Sequence, residues 1–93
     1  MGAFPTGSPK DLVRSVADGF TYFSIVSLKK FQPHHLKQLL QNIMIHEREI
    51  RGEVVEEADF EAVRKKHFRL QNLNKARLMI QEFIRHRRIK IDG

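Results

Sequence analysis

From Phe60 to Arg88 the chain runs without a single glycine or proline. Apolar residues recur through this stretch at helical spacing, and a run so long without a breaker reads as one continuous helix. Asp59 is placed to cap it, with Glu56, Glu57 and Glu61 near the start, where the helix dipole favours negative charge. Arg85, Arg87 and Arg88 complement the opposite pole. At 1.5 Å per residue this helix spans ~43 Å. In a chain of 93 residues, everything else has to be arranged along it.

A second helix is bounded by Pro33, which suits a first turn, and Gly52, which suits an end. Within it Leu36, Leu39, Leu40, Ile43, Met44 and Ile50 fall inside about 130° of a helical wheel. Ile45 lies on the opposite side, a hint of a second contact surface. This helix spans only ~28 Å. Paired antiparallel, the two leave the last helix overhanging from about Arg77 onward, with the N-terminal segment as its natural cover.

That segment opens at Ser8-Pro9, a capping serine followed by a proline suited to the first helical position. Leu12, Val13, Val16, Ala17 and Phe20 follow at helical spacing, and Gly19 weakens or ends the helix. Thr21 to Leu28 is ambiguous. Its residues favour strands, yet Val16, Phe20, Phe23, Ser27 and Phe31 also fit one helical stripe. A lone strand is not stable in water, and the only partner is the alternating tail around Ile89-Lys90-Ile91. The expected fold is mainly α, a small three-helix arrangement with the C-terminal helix as spine. The alternative is α+β, with a short two-stranded ribbon from residues 21–28 and 88–92. Residues 1–7 read as a disordered tail and residues 8–93 as one helical domain. The tail matches the N-myristoylation pattern through Gly2 and Thr6, a pattern that fixes only two positions after the methionine.

Composition narrows the setting. With 41% apolar and 30% charged residues the balance is that of a folded domain. There is no cysteine, which excludes disulfides, thiolate metal sites and thiol catalysis. A small chain without such staples is expected to be intracellular, in the cytoplasm, and no apolar run approaches the ~18 residues of a membrane span.

Charge is unevenly placed. The net charge is +6, but residues 34–63 carry three basic and seven acidic side chains, whereas residues 64–93 carry ten basic and two acidic. The acids from Glu47 to Glu61 gather at the turn between the two long helices. Arg64, Lys65, Lys66 and Arg69 lie beside that turn, where part of their charge is neutralised internally. The basic residues of the last helix scatter around its wheel, which weakens a groove-binding role. The local cluster Arg85, Arg87, Arg88 and Lys90 remains as an anion-binding candidate; its plainer role is a solvated helix end.

Catalytic and metal signatures are missing from the sequence. His34 and His35 are adjacent and point ~100° apart on a helix, and His46-Glu47 lacks the second histidine of a zinc motif. His67 and His86 are too far apart to meet within one chain. There is no phosphate-binding glycine loop and no nucleophile elbow. The expectation is a non-enzyme with no cofactor, no metal and no small-molecule substrate. Zinc-finger, RRM, KH and helix-turn-helix signatures are absent too.

The apolar residues of the last helix form two faces. Leu70, Leu73, Ala76, Ile80, Phe83 and Ile84 cover one; Phe60, Phe68, Leu78 and Met79 lie on another. One neighbour does not bury both, so the helix is either sandwiched or packs on a partner chain. Phe68, between basic residues, packs in a core or stacks on a base. The first expectation is therefore a protein-interaction module, a helical adaptor, regulator or small subunit, with a protein partner or a homo-oligomer. Its candidate contacts are Ile45, Phe68, Leu78 and Met79. The second is a nucleic-acid-binding protein working mainly through phosphate. The third and weakest is attachment to a membrane surface through a lipid at Gly2 and the basic cluster.

Overall fold

The structure is a computed structural model that describes residues 7–88. It holds four helices in chain order: α1 (Pro9–Ala17), α2 (Ile25–Leu28), α3 (Pro33–Arg51) and α4 (Phe60–Arg87). No strand occurs among the described residues. Helices α1, α3 and α4 pack against one another, and the single turn of α2 also rests on α4. The longest dimension of the molecule, 46 Å, matches the length of its spine.

Each helix starts where its sequence supplies a cap. Ser8 Oγ accepts from the Asp11 amide at 3.1 Å, and Asp59 Oδ1 accepts from the Ala62 amide at 3.1 Å. Ser24 and Ser27 exchange hydrogen bonds that close the one turn of α2. At the start of α3 the Gln32 amide donates to His35 Nδ1 at 3.0 Å, which fixes the ring proton on the other nitrogen.

The core is one apolar cluster. Val13, Val16 and Ala17 of α1, Leu28 and Phe31, Leu36, Leu39, Ile43 and Ile50 of α3, and Leu73, Ala76, Ile80 and Phe83 of α4 are all buried. Removing such side chains from water at roughly 25 cal/mol per Å² is the main force holding the helices together.

Four expectations need correcting. Thr21–Ser24 is neither helix nor strand, and helix resumes only at Ile25. The stripe running from Val16 through Phe20 to Phe31 is therefore broken, because Gly19 stops α1 first. Met44 is 55% exposed: it sits at the outer edge of the α3 stripe, past the line of contact. Glu47, grouped above with the acidic turn, lies mid-helix on the buried face at 3% exposure. Finally, the overhang is at the other end of α4. Lys66 Nζ donates to the carbonyls of Arg51 and Glu53, which sets the end of α3 level with Lys66 and lets Phe60–Lys65 run past it. The eight-residue acidic connection, Gly52–Asp59, is long enough to permit that offset. The tail residues 1–6, with Gly2 and Thr6, and residues 89–93, with Lys90 and most of the second ribbon segment, lie outside the described residues.

Candidate functional site

Gly19 organises the most distinctive surface. It adopts φ +82°, a left-handed conformation that favours glycine. The Phe20 amide donates back to the Ser15 carbonyl at 2.9 Å and the Gly19 amide to the Val16 carbonyl at 3.1 Å, the paired bonds of a Schellman stop. Two ties then lay the departing chain against the bundle. Asn72 Nδ2, buried in α4, donates to the Ala17 carbonyl at 2.9 Å, and the Ser15 and Thr21 hydroxyls lie 2.7 Å apart. Phe68 closes over the turn: a Cβ on Gly19 would stand 3.0 Å from its ring.

The consequence is a row of unburied apolar side chains along one shoulder of α4. Phe20 is 82% exposed, Tyr22 73% and Phe68 45%, and Met79 completes the row. Two shallow depressions mark it. One is lined by Tyr22, Phe23, Ala76 and Met79 with Lys75 at its lip. The other is lined by Phe20 and Phe68 with Lys65 and Arg69. Arg69 is engaged, 3.1 Å from Glu53 and 3.7 Å from Asp18, clasping the ends of α1 and α3 to α4. Among the described residues no carboxylate pairs with Lys65 or Lys75, so the shoulder carries two uncompensated positive charges.

The four apolar candidates thus separate. Phe68 and Met79 share the shoulder. Leu78 is 51% exposed on the side of α4 turned away from the buried residues. Ile45 lies across the molecule, at a depression between α1 and α3 shared with Lys10, Arg14 and Glu49. The second apolar face of α4 is therefore not sandwiched within the chain. Spacing alone places Phe20 on the helical stripe and so gives no sign that Phe20 and Tyr22 face solvent. The usable signal was Gly19, since a glycine stop turns the following residue out of the helix.

The basic end is less available than its composition implies. Arg85 and His86 both pair with Glu82, and Arg87 stacks over the Phe83 ring with its guanidinium 5.2 Å from the ring centre. Arg88 caps α4 in a left-handed conformation, φ 52°. Lys90 lies outside the described residues. Near Ile45, the hydrogen bond from His46 holds the Glu49 carboxyl below its ordinary value, partly opposed by desolvation and reinforced by the charges of His46, Lys10 and Arg14.

The histidines do not assemble into a site. Among the described residues no three side chains of His, Cys, Asp or Glu gather closely enough to hold a metal. No helix among them is long and apolar enough to cross a membrane. Comparison with protein-family models, with curated proteins and with solved structures finds no match to this chain.

Proposed function

We propose that this chain is a non-catalytic protein-interaction module whose contact face is the shoulder formed by Phe20, Tyr22, Phe68 and Met79. One observation carries this reading: four large apolar side chains stand together in water although the chain has a separate, closed core. A patch of this kind on a small monomer marks a surface that another molecule covers. Tyr and Phe in such a patch, with Lys65 and Lys75 beside it, suit a partner that offers apolar groups and carboxylates. A helical adaptor, regulator or small subunit acting inside the cell, in the cytoplasm, fits a cysteine-free chain of this size.

The test is a photo-crosslinking phenylalanine at position 22, with the protein returned to an extract of the cells that express it. The expected adduct is one defined protein, which then binds the purified chain directly and loses that binding with Phe20→Glu. Adducts to nucleic acid alone, or none, would overturn the assignment.

A second reading draws on Phe20 and Tyr22 standing beside Lys65 and Lys75, since exposed rings among cations stack on the bases of single strands. It predicts affinity for a single-stranded oligonucleotide that falls steeply with salt, at ~0.7 of a log unit per phosphate contact for each tenfold change in salt. Arg85, Arg87 and Arg88 contribute to the same slope only if they leave Glu82 and Phe83. A salt-independent or absent interaction removes this reading.

A further inference from the structure

We infer that the occupant of the shoulder is a second copy of this chain, docked by its own acidic connection between α3 and α4. The inference rests on the protein-docking reading above and names the partner. The shoulder is apolar and basic; the connection is apolar and acidic. Val54 is 97% exposed and Phe60 76%, with Glu56 and Glu57 exposed between them. Neither valine nor phenylalanine gains anything from that position in an isolated monomer. The strip therefore offers two apolar plugs and two carboxylates to a surface that is apolar and carries the unpaired cations Lys65 and Lys75.

The chain's own strip is out of reach of the groove beneath Lys75. Phe60 and Lys75 are separated by about 22 Å along α4, at 1.5 Å per residue, and the helix between them is rigid. Only another copy brings the strip there. The arrangement also closes. Along the axis of α4, the acidic connection and the groove beside Lys75 lie on either side of Phe68. In a pair related by a two-fold axis near Phe68, each copy turns its acidic connection toward the other's Lys75. The contact is then isologous and ends at a dimer. Glu61 and Lys75, equally spaced about Phe68, are brought into register across that axis. Each copy carries +6, so long-range repulsion opposes the dimer and the local pairs must prevail over it.

Charge reversal in trans tests this. One variant carries Lys65→Glu and Lys75→Glu; the other carries Glu56→Lys and Glu57→Lys. All four positions are on the surface, and circular dichroism checks that each variant keeps its helices. The wild type should sediment as a dimer at high protein concentration. Each variant alone should dimerise about tenfold or more weakly, because each meets like charge at both contacts. Mixed in equal amounts, the two should recover dimer, since both contacts are again complementary. A monomeric wild type, variants that dimerise unchanged, or a mixture that stays monomeric overturns the inference. If the wild type is monomeric but position 22 still crosslinks a different protein, the docking reading stands and only the self-partner is lost. Binding to an oligonucleotide without any dimer removes both.

Discussion

The amide of Asn72 in α4 reaches the carbonyl of Ala17 at the last turn of α1, at 2.9 Å and away from solvent. That carbonyl has no helical partner of its own, because α1 has ended. One side chain therefore completes the end of α1 and fixes where the following aromatic loop lies on the spine.

Replacing Asn72 by Leu leaves the Ala17 carbonyl buried without a donor. The expected cost is about 1–3 kcal/mol, read from urea unfolding. Amide exchange of residues 18–22 should accelerate more than that of α3. Equal acceleration throughout would mean that Asn72 supports the bundle generally and not this loop.

Gly19→Ala combines two penalties. The left-handed backbone costs about 1–2 kcal/mol for a residue with a Cβ, and that Cβ also meets the Phe68 ring at 3.0 Å. Shortening the ring with Phe68→Leu should relieve the second and not the first. A double-mutant cycle by chemical denaturation should thus show favourable coupling; strict additivity would show that the ring moves aside freely.

Glu47 occupies the middle of the apolar stripe of α3, one turn from both Ile43 and Ile50. Among the described residues no hydrogen bond or ion pair reaches its carboxylate. Glu47→Met should stabilise the fold by about 1–2 kcal/mol, since it fills the same space without burying a carboxylate. A loss of stability on thermal and urea unfolding would show that burial of this carboxylate carries no net cost.

Glu49 titrates below its ordinary value chiefly because His46 hydrogen-bonds to it. A depressed carboxyl contributes stability that is present above its unfolded pKa and is lost as pH falls through the lower, folded one. The group is exposed, so the effect is small. Its carboxyl carbon, followed by NMR, should titrate below the ordinary glutamate value, and His46→Ala should raise it toward that value. No change on that substitution would assign the shift to Lys10 and Arg14 instead.

The long helices were legible because their signals are local. Asp59 caps α4, Ser8 and Pro9 open α1, and the leucines of α3 fall on its buried side, all readable from spacing. What the sequence hid depends on distant residues. Nothing near Asn72 announces that it serves Ala17, fifty-five positions earlier. Glu47 carries an exposed residue's chemistry in a buried position, and Phe20 carries a core residue's chemistry in an exposed one. Helix lengths point the α4 overhang the wrong way for a similar reason. It is set by Lys66 gripping the end of α3, a contact invisible to helix lengths alone. Phe68 and Met79 were recognised from their wheel positions, but their companions Phe20 and Tyr22 come from a loop that only the fold brings to them.

The shoulder claim is tested most directly by comparing faces. Photo-crosslinking residues at positions 22, 45 and 78 sample the shoulder, the α1–α3 depression and the far side of α4 in the same extract. Protein adducts concentrated at position 22, and weak or absent at 45 and 78, are the predicted result. Equal yields at all three positions, or a dominant adduct at position 78, would contradict the account and move the contact face elsewhere on the molecule.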